Sequence, residues 1–437
     1  MNILLGEKSL KEATSFVQEL VTDQLTEKDE VLQEVLRRAR AGQSGYEKKG
    51  QEVICRLMKT YGLSVTGMSL EEAAWEIYKY GWGLDLVEEI YRMPDTDEIR
   101  VNNPQQVIYQ QRGKTILAGN IKFKDNKHIE KIIARLIEHD RAILDESNPG
   151  CESRRMDGTR VTALRPPLVA YPSFVLRKHG TFDLSDENYI QGGVLNEYMK
   201  KLLSALVRGR ANILIAGDAN TGKTTLLRWL FKYMRPSLRV VTIETDHELE
   251  LDRWYPDREI ISIEAHPEIG WDMRRCFALS LRLSPNVIIV GEARGLGEAK
   301  QMINACKSHQ GTMGTIHVST AEEAVTWLAQ MAMEEGVRLP LPILEAQVAS
   351  SFDVIIQTHW SEGTGKRKIE QITEVRKGEN GPEFRHLCAW NPSEHSYDLG
   401  KWDFPSELSP HLARKLFKFG VGKTELGNLE RMRKDAA

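Results

Sequence analysis

GDANTGKT, residues 217–224, decides how the chain is read. It fits the pattern G-x4-G-K-[ST], and its surroundings fit as well. ANILIA (211–216) supplies an apolar strand before it, and TTLLRWLFKYM (224–234) supplies a helix after it, stopped by Pro236. The chemistry requires this layout. Successive backbone N–H groups curl around phosphates at a helix N-terminus, where the helix dipole favours negative charge. Gly217, Asp218, Ala219, Asn220, Thr221, Gly222, Lys223, Thr224 and Thr225 are therefore the expected nucleotide-binding residues, with Lys223 on the terminal phosphates and the Thr224 hydroxyl on Mg²⁺. Two other stretches, RGKT (112–115) and VGKT (421–424), serve as internal controls. Five residues before their glycines stand Ile108 and Phe417 rather than Gly, and no buried strand leads into the second. Both read as surface coincidences.

Two further apolar strands follow with helices between them, which predicts a parallel sheet wrapped by helices. RVVTIETDHELEL ends in Glu244, Asp246, Glu248 and Glu250, and NVIIVGEARG ends in Gly291 and Glu292. In a parallel sheet both ends lie at the carboxyl edge, beside the phosphate loop. A carboxylate there holds Mg²⁺, directly or through water, or orients the attacking water. The third strand lacks an Asp at its end, and its acid stands one place later. WDMRRCFALSLRLSP reads as a helix with Arg275 and Arg282 on one face, candidates for salt bridges or for transition-state charge. SHQGTMGTIHVST (308–320) sets His309 and His317 around a Gly-rich strand.

Outside this block, residues 1–90 read as an N-terminal helical region. Leu32, Val35, Leu36 and Ala39 share a face, and Ser69 with Glu72 resembles a capping box. Residues 91–182 read as a small α+β domain. Its segment 146–160 is expected to be a loop carrying Arg154, Arg155 and Arg160, with Arg165 and Arg177 nearby, either a solvated loop or an anion-binding rim. A linker is expected at 183–195, the P-loop ATPase domain at 196–360, and an accessory region with a late hairpin at 361–437.

Composition narrows the function classes. The 437 residues are 41% hydrophobic and 28% charged, ordinary for a globular chain of several domains. The 59 basic and 62 acidic residues leave a net charge of −3, which argues against a large nucleic-acid-gripping surface. No apolar run approaches the ~20 residues that span a bilayer. The opening MNILLGEKSLKEATSF lacks the long apolar region of a signal peptide, so a cytoplasmic location is expected. Five scattered cysteines form no CxxC pair and support neither a disulfide framework nor a zinc site.

Taken together, GDANTGKTT, TIETDHELEL, LSLRLSPNVIIVGEARG and GTMGTIHVST resemble, in that order, the boxes of the type II/IV secretion-system ATPase family. DESNPG, ESRRMDGTRVTALRPPL and FVLRK resemble the N-terminal domain of the branch serving Tad/Flp pilus assembly and conjugation-type secretion. The resemblance implies a RecA-like P-loop ATPase domain preceded by a small α+β domain. Glu292 would be the catalytic or metal-linked glutamate, Glu244 the acidic-box glutamate near Mg²⁺ and water, and His317 the histidine-box residue. Arg282 would add a catalytic arginine, and Arg154, Arg160 and Arg177 would reach the nucleotide from the N-terminal domain. The family implies a homo-hexamer that hydrolyses ATP at the cytoplasmic face of the membrane, docked on a polytopic inner-membrane platform protein, to drive pilin assembly or protein export. Some positions depart from the pattern. The acidic box reads Glu244-Thr245-Asp246-His247-Glu248-Leu249, with its second acid displaced by one. Gln310, Asn286 and Val318-Ser319-Thr320 also differ, and the tetracysteine insertion of the type II branch is missing. These departures bear on turnover rather than on nucleotide binding. They keep a second reading open, a nucleotide-gated scaffold with little hydrolysis. A nucleic-acid translocase is disfavoured by charge. A GTPase is disfavoured because Asn126-Lys127 continues into His128-Ile129 rather than toward a guanine-reading Asp.

Overall fold

The computed structural model describes residues 6–24, 30–111, 114–140, 142–178, 184–295 and 297–436. The first five residues, Arg112 and Gly113 of the first control stretch, and the start of the expected linker lie outside them. The chain forms two units, Met1–Thr181 and Phe182–Ala437.

In the first unit, two short parallel strands, β1 (Gly6–Lys8) and β2 (Leu63–Val65), accompany helices α1 (Leu10–Glu19), α2 (Glu30–Arg40), α3 (Tyr46–Tyr61) and α4 (Leu70–Gly81). The capping box at Ser69 forms as the sequence predicts: Glu72 N donates to Ser69 Oγ, and Ser69 N donates to Glu72 Oε2. Ser9 and Glu12 repeat the device at α1. After α5 (Glu88–Arg92) comes an antiparallel sheet of β3 (Thr96–Asn103), β4 (Gln106–Gln111), β5 (Lys114–Leu117), β6 (Gly150–Arg154), β7 (Arg160–Leu164) and β8 (Ser173–Arg177), in the order β5-β4-β3-β8-β7-β6. Helix α6 (Asn126–Ile137) buries Ile129, Ile132, Ile133 and Leu136 in the sheet's core.

Two sequence expectations change here. The stretch 146–160 is not all loop, because β6 pairs with β7 around a turn in which Gly158 adopts φ 89°. The helical layer and the sheet keep separate cores, yet Leu84, Val87 and Ile90 already belong to the sheet's core, ahead of the expected boundary at 90. The two layers are also tied together. Met156 N donates to Ala41 O at 2.8 Å, and the buried Arg155 packs so closely on Gly42 that a Cβ there would lie 2.7 Å from its Nε.

The second unit opens with α7 (Asp186–Gln191) and α8 (Glu197–Arg208) and is built on one sheet. Its strands are β9 (Ile213–Gly217), β10 (Val240–Glu244), β11 (Ile260–Glu264), β12 (Val287–Ala293), β13 (Met313–Ile316), β14 (Val354–Trp360), β15 (Arg367–Lys377), β16 (Pro382–Ser393) and β17 (Ser396–Asp403). They lie in the order β11-β10-β12-β13-β9-β14-β15-β16-β17. The first six run parallel, and the last three continue antiparallel. Residues 361–403, expected as a separate accessory region, therefore extend the sheet that carries β9. Helices α9 (Lys223–Phe231), α10 (Leu251–Trp254), α11 (Met273–Ser280), α12 (Glu298–Ser308), α13 (Ala321–Glu334) and α14 (Leu341–Ser351) connect the strands, and α15 (Pro410–Lys418) and α16 (Lys423–Ala436) follow them.

Strand alternation divides the apolar residues between two faces. Ile213 and Ile215 enter one core, and Leu214 and Ala216 the other. This is the α/β fold with a mostly parallel sheet and flanking helices expected from the sequence. In the second control stretch, VGKT, Val421 and Gly422 lie between α15 and α16 and Lys423 and Thr424 open α16, with no strand leading in.

Candidate functional site

The site is assembled at the carboxyl edge of the parallel strands. β9 is buried along its whole length and delivers Gly217 to the loop. A side chain at Gly217 would collide with the hydroxyls of Thr358 and Thr221. Asn220 (φ 64°) and Gly222 (φ 90°) take left-handed conformations that curl the loop back. Gly222 caps α9 without any side-chain bond, so the helix's first N–H groups face the loop's hollow. Lys223 is 5% exposed, and its Nζ donates to Gly217 O and Asp218 O, each at 2.9 Å.

Three more segments converge on this loop. At the end of β10, Glu244 is buried; its Oε1 accepts from Glu248 N (3.0 Å) and Leu249 N (2.9 Å). Its Oε2 is buried with no hydrogen-bond partner. Burial pushes the Glu244 carboxyl up to about 8, against the opposing pull of those two backbone donors. At the end of β12, Glu292 is held on both oxygens, by His317 Nε2 at 2.7 Å from Oε1 and by Arg294 Nε at 2.5 Å from Oε2. Burial raises its pKa, but the His317 hydrogen bond and the Arg294 charge outweigh burial and hold it down to about 2. His317 follows β13, and its Nδ1 lies 3.1 Å from Lys223 Nζ. A lysine ammonium can only donate, so Nδ1 accepts and the ring proton sits on Nε2, pointing at Glu292. Thr224, Glu244, Asp246, Gly291, Glu292 and Arg294 line one small pocket beside the loop.

The residues fit a nucleotide with Mg²⁺. Glu244 Oε2 is an orphaned buried oxygen in the pocket that Thr224 also lines. Among the described residues no cluster of three or more His, Cys, Asp or Glu side chains could cage a metal alone.

Sequence reading missed one member. Arg367, at the start of β15, donates from Nε to Asn220 O at 2.9 Å, and its Cδ lies 3.3 Å from where a Cβ on Gly222 would stand. A basic residue near the end of a polar turn carries no local signal for this contact.

Two expected members do not join. Arg282 lies on an exposed turn after α11, just ahead of β12. It is therefore at the amino edge of the sheet, the full length of a seven-residue strand (about 20 Å) from Glu292. The catalytic role read for Arg282 is not supported within its own chain. Sharing a helical face with Arg275 did not reveal which sheet edge that helix ends on. Arg275 instead donates to Gly270 O at 2.6 Å. His309 precedes β13 and also sits at the amino edge, where it caps α12.

Arg154, Arg160 and Arg177 belong to the first unit, where they form a row. Arg154 is the cross-strand partner of Arg160, and Arg160 of Arg177. Partners share a face of the sheet, so three cationic side chains stand side by side.

The profile of the Type II/IV secretion system protein family matches residues 84–375. The chain belongs to this family. A probable conjugal transfer protein TrbB from Sinorhizobium fredii is 29% identical over 229 residues, 51% of this chain and 66% of the relative. The type IV secretion system protein VirB11 from Brucella suis is 25% identical over 316 residues, 63% of this chain and 85% of that protein. The match therefore spans just under two thirds of the TrbB relative's length. Among solved structures, the Brucella suis VirB11 ATPase in complex with sulphate is 23% identical, with a TM-score of 0.36, covering 67% of this chain and 96% of that one. The pilus retraction motor PilT with bound ADP is 14% identical, with a TM-score of 0.47, covering 80% of this chain and 89% of that one. Among the described residues no helix is long and apolar enough to cross a membrane.

Proposed function

We propose that the chain is an ATP-hydrolysing motor of a secretion or pilus-assembly system of the Tad/Flp or conjugation type. It would work as a homo-hexamer at the cytoplasmic face of the membrane, on a polytopic platform protein. The observation that carries the ATPase reading is the meeting of Lys223, Thr224, Glu244, Glu292 and His317 at one sheet edge. Lys223 and the N–H groups of the first turn of α9 bind the phosphates. Thr224 and Glu292 would hold Mg²⁺, directly or through water. The ion, when bound, neutralises charge on the transferred phosphoryl group. Glu292, aimed by His317, orients the attacking water. The buried Glu244 carries its proton at neutral pH and fixes the acidic loop through Glu248 N and Leu249 N.

Steady-state phosphate release tests this reading. Glu292→Gln is expected to retain nucleotide binding and to lose about 100-fold or more in turnover, the usual size of a lost acid–base contribution. Wild-type release no faster than that of the variant would remove the motor reading. It would leave the nucleotide-gated scaffold, a reading favoured by one observation: both Glu292 oxygens are occupied within the chain.

A further inference from the structure

A carboxylate that orients a water needs an oxygen to offer it. In Glu292 each oxygen already accepts a charged or polar donor, Oε1 from His317 and Oε2 from Arg294, so an incoming water must share an oxygen with one of them. Arg294, however, is not committed to Glu292 alone. Its Nη1 is paired with Asp246 Oδ2, and its Nη2 lies 3.1 Å from Glu248 Oε1. One guanidinium thus bridges the third strand's acid and the displaced acid of the second strand's loop.

We propose that Arg294 is a positioning residue that acts as a latch on Glu292. In the arrangement seen, it occupies the carboxylate. Turnover requires it to swing wholly onto Asp246 and Glu248, which form its parking place. The inference rests on the ATPase reading of this site and extends it to a control step.

The physical case is one of exchange. Taking an arginine off its carboxylate ordinarily forfeits the pair. Here the five donors of the planar fork keep two acceptors after Glu292 is released, so only part of the interaction is lost. The parking place is itself anchored, because Glu248 N donates to the buried Glu244. It also gives the displaced acidic box a use. Asp246, one position later than the family pattern, is the carboxylate that pairs with Nη1.

Full-length protein variants test the latch by phosphate release at saturating ATP and Mg²⁺. Arg294→Gln is expected to raise kcat about threefold, the scale of one half-exposed ion pair, with KM for ATP unchanged. Asp246→Asn removes part of the parking place and is expected to lower kcat by a similar factor. In the double variant the Asp246→Asn effect should vanish, because no arginine remains to be parked. Arg294→Lys, which keeps charge without the fork, should fall between wild type and Arg294→Gln and covers the case in which Arg294→Gln does not fold. A Glu292-dependent wild-type rate that falls on Arg294→Gln or Arg294→Lys overturns the latch alone. So does an Asp246→Asn effect that persists in the double variant. A wild-type rate equal to that of Glu292→Gln overturns the ATPase reading, and the latch with it.

Discussion

At Gly291 a Cβ would lie 2.7 Å from Glu244 Cγ and 3.0 Å from its Oε1. The glycine that stands where many phosphate-loop ATPases carry an Asp therefore makes room for a buried carboxyl from the neighbouring strand. The sequence displays the missing Asp but not the reason, which lies 47 residues away in the chain and adjacent only across the β10–β12 pairing. The two carboxyls are driven in opposite directions, Glu244 up to about 8 by burial and Glu292 down to about 2 by His317 and Arg294. Such a split assigns different protonation states to the pair at neutral pH. It also has a sign in stability. Below the ordinary carboxylate range Glu244 is protonated in both folded and unfolded chains. As pH rises toward about 8 the unfolded chain ionises first, so the Glu244 contribution is lost across that window. Glu244→Gln mimics the protonated form and should flatten the loss. Thermal unfolding without nucleotide should show wild type falling behind the variant by a few °C between pH 5 and pH 9. Parallel curves would mean that Glu244 ionises normally.

Elements were legible where the signal is local and periodic. The strand–loop–helix around 217–224, the capping box at Ser69 and the hairpin after 361 all carry short-range cues. Edge assignment was not legible, because helical spacing fixes a face of α11 but says nothing about where along the sheet it stops. The strand β6 was hidden by its Gly, Pro and Ser-rich surroundings, and it exists because β7 offers a ladder to pair with. Arg367 was missed for the same reason, since 147 residues separate it from Asn220. Its bond to the carbonyl of a left-handed loop residue implies that the antiparallel extension of the sheet braces the phosphate loop. Removing one such bond costs about 1 kcal/mol, so Arg367→Ala should weaken ATP binding about fivefold. Arg367→Lys should fail to rescue it, because the donor is the guanidinium Nε. Titration with a fluorescent ATP analogue measures both, and unchanged affinity in Arg367→Ala would show that the loop holds its shape alone.

At the scale of the molecule, the two units have separate cores, and the row of Arg154, Arg160 and Arg177 lies in the one that lacks the phosphate loop. Like charges placed opposite one another on a sheet destabilise it unless counter-charge is at hand. Glu98 supplies some, as the cross-strand partner of Arg177 on the other side. A ligand slows local opening of the elements that hold it. ATP bound at the phosphate loop should therefore slow hydrogen exchange in β9 and α9, which deliver Gly217 and Lys223. The measurement is hydrogen exchange with and without ATP in Glu292→Gln, used to prevent turnover. Exchange in β9 and α9 that does not change with ATP would take nucleotide off the loop at 217–224.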